Sequence, residues 1–250
     1  MILELDAGNT RIKWRLIEES AGKVNRVAEN SVYALEKVPS VFIELGKQLD
    51  KLPLAEINRM RVANVRGNSF REAFSALMTE KWHLQPEYAR VEQACAGVSN
   101  SYTDYQTMGV DRWLAMLAAY RDAGGSCCIV DCGSTVTIDI IDDSGRHQGG
   151  YIVPGLQLMR EALAGRSRAL KINAAAHWDS IQPGNSTQQA IENGILNMVL
   201  GMIEKVRAEL RGNPQWYLTG GDARILLPFL DWQYELVPDL VMDGLALAMD

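Results

Sequence analysis

Two short stretches of the chain carry the residue types of a phosphate-handling turn. Leu5-Asp6-Ala7-Gly8-Asn9-Thr10 and Val130-Asp131-Cys132-Gly133-Ser134-Thr135 share the pattern Asp-x-Gly-[Asn/Ser]-Thr, 125 residues apart in a chain of 250. Glycine permits φ > 0 and lets a ligand approach the backbone closely. Successive turn amides then converge into an anion nest, and Thr or Ser adds a hydroxyl donor. A carboxylate repels phosphate, so the Asp is useful there only with a cation between them, as Mg²⁺ stands between carboxylate and phosphate oxygens. Lys13, just beyond the first turn, has the reach to meet a phosphate. Two such turns facing each other would hold a nucleoside triphosphate. The competing reading is that both Asp residues only close β-turns. One copy is weak evidence, because turns often have this composition, and two copies in matching contexts are much stronger evidence for the ligand site.

Other motifs say less alone. Gly109-Val110-Asp111-Arg112-Trp113 places a carboxylate beside a guanidinium at the start of an apolar helix. Arg offers a fork for carboxylate or phosphate, and Asp can accept a proton from an attacking hydroxyl. By spacing alone the plainer reading, a capped helix start with Trp113 in the core, is favoured. Thr219-Gly220-Gly221-Asp222-Ala223 joins a strand to a helix, where Asp222 either caps the helix or borders a site of close ligand approach. Gly149 to Gly155 is a strand bracketed by glycines. Asn185-Ser186-Thr187 reads as a helix cap whatever else it does.

These residues need elements to position them. Ile2–Asp6 and Ile12–Ile17 are expected as a hairpin around the first turn. Helical spacing covers 38–49, 70–77 and 113–120, and 60–65 is strand-like. After Gly124-Gly125-Ser126, strands are expected at 127–131, 136–141 and 147–153, with a turn at Asp142-Asp143-Ser144-Gly145. A long helix follows at 187–210, then a strand at 216–219, a helix over 222–230 limited by Pro228, and an apolar helix at 242–249. Both turns precede an apolar run and reach an acidic turn about a dozen residues later, at 18–22 and 142–145. This period is too long for a solenoid and indicates a duplicated α/β domain, divided as 1–124 and 125–250.

Composition narrows the class. Apolar residues make up 47% and charged residues 22%, which fits a globular protein and excludes disorder. The net charge of −6, with no basic stripe, argues against a nucleic-acid partner. The acidic excess lies wholly in residues 126–250, which hold 9 basic and 15 acidic side chains against 16 and 16 before them. No apolar run approaches membrane-spanning length, and Glu4 and Asp6 break the only N-terminal apolar stretch, so no secretory signal is expected. Cys95, Cys127, Cys128 and Cys132 form no Cys-x-x-Cys pair, which argues against zinc and for free thiols in a reducing cytoplasm.

Taken in order, the motifs resemble those of type III pantothenate kinases nearly end to end. Asp6 to Lys13 match the family's first phosphate motif. Asn100, Tyr102 and Gly109 to Trp113 match its pantothenate segment, and Asp131 to Thr137 with Asp139 match the second phosphate motif. Gly149 to Gly155, Thr187 to Gly194, Thr219 to Ala223 and Asp243 to Leu245 match the remaining motifs. One departure stands out: Ser134-Thr135 replaces the usual Thr-Ala, keeping a hydroxyl but adding bulk, which bears on ATP affinity more than on activity.

The resemblance implies two similar actin-like, acetate-kinase-like (ribonuclease H-like) α/β domains with ATP in a cleft between them. It implies phosphorylation of the primary hydroxyl of pantothenate, the first step of coenzyme A synthesis. By carry-over, Asp111 is the proton acceptor, and Tyr102, Gly109, Val110, Arg112 and Thr187 line the pantothenate site. Asp6, Ala7, Gly8, Asn9, Thr10, Arg11, Ile12, Lys13, Ser134, Gly220 and Gly221 hold ATP, with Asp6 near Mg²⁺ and Asp131 at K⁺ or NH₄⁺. A cytoplasmic homodimer with its substrate pocket near the dimer interface is implied as well. Two other functions fit the same residues: a kinase for another small hydroxyl compound (or an ATPase), and a non-enzymatic accessory or regulatory ATP-binding protein. Intact phosphate turns beside Asp111 and Arg112 weigh against the last.

Overall fold

A computed structural model describes residues 1–20, 23–34, 38–166 and 176–249. The chain forms two compact units. One comprises Met1–Ala118 with Asp239–Asp250, and the other Ala119–Pro238.

The first unit opens with β1 (Ile2–Ala7), β2 (Arg11–Ser20) and β3 (Lys23–Tyr33), followed by α1 (Val38–Leu49), β4 (Arg59–Asn64), α2 (Gly67–Trp82) and β5 (Pro86–Tyr88). A small hairpin of β6 (Ala94–Cys95) and β7 (Val98–Ser99) leads to α3 (Val110–Ala123). The second unit holds β8 (Cys127–Cys132), β9 (Thr135–Ile141), β10 (His147–Pro154), α4 (Leu156–Arg166), α5 (Thr187–Glu209), β11 (Gln215–Thr219), α6 (Ala223–Leu226) and β12 (Glu235–Leu236). The C-terminal α7 (Leu240–Met249) belongs to the first unit.

The two sheets share one topology, β3-β2-β1-β4-β5 and β10-β9-β8-β11-β12. In each, the first three strands are antiparallel and the last two add in parallel. β1 and β8 have bounds displaced by the same 125 residues as the turn motifs. The duplication expected from two short turns therefore extends to the whole sheet.

Strand alternation explains the two faces of the first sheet. Leu3, Leu5 and Ala7 point into an apolar core with Val41, Leu45 and Leu49 of α1 and Phe70, Phe74 and Met78 of α2. Glu4 and Asp6 lie on the opposite face. In register beside Glu4 stand Arg15 and Arg61, and beside Asp6 stands Lys13. In the second unit Cys128, Val130 and Cys132 meet α4, α5 and α6 in the equivalent core. The opposite face there carries a buried pair, His147 Nε2 at 3.1 Å from Asp139 Oδ1.

The compact units do not divide at Gly124-Gly125. The division falls inside α3, and α7 returns to the first unit, where Arg15 Nη1 donates to Asp243 Oδ1 at 2.5 Å and Arg59 Nη2 to the Met249 carbonyl at 2.7 Å. The helix expected over 222–230 is also shorter. It turns as α6 for four residues and continues as a single 3₁₀ turn, Leu227–Phe229, at Pro228. Gly145 at φ +81° closes the expected acidic turn by donating to the Asp142 carbonyl. The corresponding turn at 18–22 lies partly outside the described residues.

Candidate active site

The first turn leaves β1 at Ala7 and enters β2 at Arg11. Asp6 ends the charged face of β1, directly beside Lys13. Burial pushes its carboxyl up to about 7; Lys13 opposes this, and Asp111 and Asp239 add to it. Asp6 is thus influenced by the carboxylates at 111 and 239 and by the Lys13 ammonium. Among the described residues no three His, Cys, Asp or Glu side chains converge as a metal site, so a divalent cation beside Asp6 would draw its other oxygen ligands from phosphate and water.

Asp111 lies in the first turn of α3, and its Oδ1 accepts the Arg112 N–H at 2.8 Å. Gly109 is needed for space, because a Cβ there would sit 2.5 Å from that same oxygen. The motif Gly-x-Asp is thereby explained: the small residue clears room for the carboxylate two positions on. Arg112 is buried. Its Nη1 donates to Tyr102 Oη at 2.8 Å, and its guanidinium lies 5.7 Å from the Tyr102 ring centre. Tyr102 is held in turn by Asn100, whose Oδ1 accepts the Tyr102 N–H at 2.9 Å. Asn100, Tyr102, Gly109, Asp111 and Arg112 therefore form one connected group, and Trp113 behind them is fully buried.

The second turn is built by close backbone approach. The Cys132 carbonyl accepts the Asp222 N–H at 2.8 Å, and the Ser134 carbonyl accepts the Gly155 N–H at 3.0 Å. Gly220 has φ +91°, and a Cβ there would lie 2.5 Å from the Cys132 carbonyl carbon and against the Asp131 carboxylate. A Cβ at Gly155 would lie 2.7 Å from the Ser134 oxygen. Gly155 and Gly220, one from each outlying motif, are thus required by the turn they press upon. Gly221 follows in the same turn, and Asp222 precedes α6 without a capping side-chain bond. The Asp131 carboxylate, beside the Gly220 backbone, offers oxygen donors suited to a monovalent cation.

Thr187 is the exposed first residue of α5, and Ser186 provides the cap by accepting the Gln189 N–H. Glu192, one turn further along α5, is buried and accepts from Arg160 Nε at 2.9 Å. Cys132 is buried, and desolvation with Asp131 and Asp222 nearby pushes its thiol well up. It stays a thiol, so the second turn does not present a reactive thiolate.

One contributor lay outside every motif. Arg66, between β4 and α2, donates to the carbonyls of Gly8 and Asn9 in the first turn. Nothing in its sequence context, Val65-Arg66-Gly67, marks it, because its role arises from the parallel pairing of β1 with β4.

Comparison with known proteins gives the family and the fold. The family model described as type III pantothenate kinase matches residues 2–209. A type III pantothenate kinase of Azotobacter vinelandii is 34% identical over 99% of this chain and 98% of its own. Among solved structures, a Baf family transcriptional activator from Campylobacter jejuni aligns with TM-score 0.58 at 21% identity, covering 98% of this chain and 95% of that one. The activator of 2-hydroxyisocaproyl-CoA dehydratase from Clostridium difficile, with bound ADPNP, aligns with TM-score 0.53 at 12% identity, covering 98% and 92%. At these identities the two structures speak for the fold alone, which is actin-like. Full-length similarity and ordered motifs together make this chain a member of the type III pantothenate kinase family, an enzyme that phosphorylates pantothenate with ATP in coenzyme A biosynthesis.

Proposed function

We propose that Asp111 is the base that accepts the proton of the pantothenate primary hydroxyl as that oxygen attacks the γ-phosphorus of ATP. The observation that carries this is geometric: Gly109 leaves room for the Asp111 carboxylate at the start of α3, beside an Arg112 held by Tyr102. Phosphoryl transfer demands mainly positioning and charge neutralisation; Asp111 and Arg112 would serve the first, and a bound cation the second.

Arg112, aligned by Tyr102, takes the pantothenate carboxylate, with Gly109, Val110 and Thr187 as further lining. Residues 6–13 and Ser134, Gly220 and Gly221 hold the ATP phosphates. Asp6 would hold Mg²⁺, which shields phosphate charge when bound, and Asp131 would hold K⁺ or NH₄⁺. The enzyme works in the cytoplasm as a homodimer. Among the described residues no helix is long and apolar enough to cross a membrane.

The test is Asp111→Asn, assayed by pantothenate-dependent ADP release. It should retain ATP binding and lose turnover by roughly 10²-fold or more. Near-normal turnover would remove Asp111 from this role. Running the wild type with K⁺ and again with Na⁺ tests the cation at Asp131, since turnover indifferent to the exchange would refute it.

A further inference from the structure

We infer that Arg66 is a positioning residue of the phosphate donor site: its guanidinium clamps the carbonyls of the first phosphate turn and so aims that turn's amides at ATP. The inference rests on reading the first turn as an ATP phosphate site.

The clamp is specific. Arg66 Nη1 donates to the Gly8 carbonyl at 3.0 Å and to the Asn9 carbonyl at 2.7 Å, while Nη2 donates to the Ala34 carbonyl at 3.1 Å. The guanidinium also lies over the Phe70 ring, 5.4 Å from its centre, which fixes its plane. The corner carrying it is braced by Asn64, whose Oδ1 accepts the Arg66 N–H and whose Nδ2 donates to the Gly67 carbonyl. Backbone donors complete the set, with the Val65 N–H on the Ala7 carbonyl and the Ala34 N–H on the Thr10 carbonyl. Four consecutive carbonyls, from Ala7 to Thr10, are therefore each engaged by a neighbouring segment.

Peptide planarity turns this into function. In a trans peptide the C=O and the following N–H point in opposite directions. Holding the carbonyls of Gly8 and Asn9 toward Arg66 directs the N–H groups of Asn9 and Thr10 away from it. Aligned turn amides make an anion nest, and the cation behind them adds attraction of the same sign.

The second unit provides an independent comparison. Its turn carbonyls at Cys132 and Ser134 are held by the backbone amides of Asp222 and Gly155, brought close by glycines 220 and 155. In the first unit Ala34 and Val65 stand after the equivalent strands, and a long side chain from the next residue spans to the turn. At the 125-residue offset the Ala7 and Cys132 carbonyls correspond, and a backbone amide holds each; the Asn9 and Ser134 carbonyls correspond too, and there the Gly155 amide serves one repeat and Arg66 the other.

The experiment compares wild type, Arg66→Ala and Arg66→Lys. It measures ATP affinity by calorimetry, KM for ATP and for pantothenate by ADP release, and thermal unfolding. Arg66→Ala should raise Kd and KM for ATP roughly tenfold or more, with the pantothenate KM within about twofold of wild type. Arg66→Lys keeps charge but loses the fork, so its ATP KM should fall between the two. Free guanidinium, well below denaturing concentration, should lower the ATP KM of Arg66→Ala. Unchanged ATP affinity in Arg66→Ala overturns the inference, as does an equal rise in both KM values. If Arg66→Ala does not fold, Arg66→Lys decides, and a wild-type ATP KM in that variant overturns the inference. A wild type that binds no ATP would instead sink the reading of the turn itself, and the role of Arg66 with it.

Discussion

The Asp243-Gly244-Leu245 motif lies far from the turns at 7–10 and 132–135 in sequence, yet the structure makes a sharp demand on its glycine. α7 crosses α3 at backbone contact. A Cβ at position 244 would stand 2.6 Å from the Leu114 carbonyl carbon and 2.8 Å from its Cα, and nearer still to the carbonyl oxygen. None of these atoms is the end of a flexible side chain, so Gly244→Ala must push the helices apart by about 1 Å to restore ordinary contact. Overpacking of this kind costs roughly 1–3 kcal/mol, which in a chain of this size lowers Tm by about 2–12 °C. Leu114 sits three residues after Asp111, one turn along the same helix, so the displacement reaches the proposed base. A misplacement of about 1 Å can cost on the order of 10²-fold in rate, and kcat/KM should fall by roughly 10–100-fold. Thermal unfolding and ADP release measure both effects. Gly201→Ala is the control: Gly201 is exposed within α5 and meets nothing within 4 Å, so alanine there should stabilise by about 0.5–1 kcal/mol. Wild-type Tm and turnover in Gly244→Ala would refute the packing argument. A lowered Tm with unchanged turnover would refute its link to Asp111.

The same reasoning at the second turn predicts that Gly220→Ala, which meets both a positive φ and the Cys132 carbonyl, weakens ATP binding roughly tenfold or more; calorimetry returning wild-type affinity would exclude Gly220 from the donor site. Asp6 gives a pH dependence. Its folded carboxyl titrates near 7 against 3.8 unfolded, so the folded state holds its proton more tightly, and the stability this confers is present below about pH 4 and lost as pH rises to 7. In metal-free protein, Asp6→Asn should therefore be the more stable form at pH 8, by up to about 4 kcal/mol, with the advantage shrinking toward pH 5. Denaturant unfolding at the two pH values checks this, and an advantage that grows with acid would contradict it.

Much of the fold was legible because local pattern and tertiary role coincide. β1, β8 and α5 have strong apolar periodicity, and the turns at 7–10 and 132–135 repeat one pattern 125 residues apart. β3 was not legible: its run Lys23–Tyr33 is an edge strand with much of its surface in water, and its polar residues follow no strict alternation. β5 and β12 are short edge strands recruited by parallel pairing with β4 and β11. The return of α7 to the first unit depends on Arg15 meeting Asp243 across 228 residues, and Arg66 depends on which strand β1 pairs with. Local pattern records neither. The division near Gly124-Gly125 marks a real turn, with Gly124 at φ +61°, but a turn in the chain is not a break in packing.

The charged face of the first sheet ties these observations together. Glu4, fully buried, accepts from Arg15 Nε at 2.7 Å and from Arg61 Nη1 at 3.2 Å, and Arg61 also reaches Glu19 at 2.9 Å. Buried ion pairs seldom stabilise a fold beyond what apolar residues of equal volume would achieve, so stability is a weak account of why these four charges share this face. Geometry is a better one. Arg15 joins β2 to α7 through Asp243, the next residue of α7 presses on α3, and α3 presents Asp111. Asp6, two residues along β1 from Glu4, is on the same face. A leucine in place of Arg15 would fill space equally well but would specify neither the rotation nor the height of α7. Directional bonds specify both, and through the contact at Gly244 they set where α3 holds its carboxylate relative to the first turn. The apolar face of the sheet makes the unit stable, and the charged face aligns the turn with the residue proposed to act beside it.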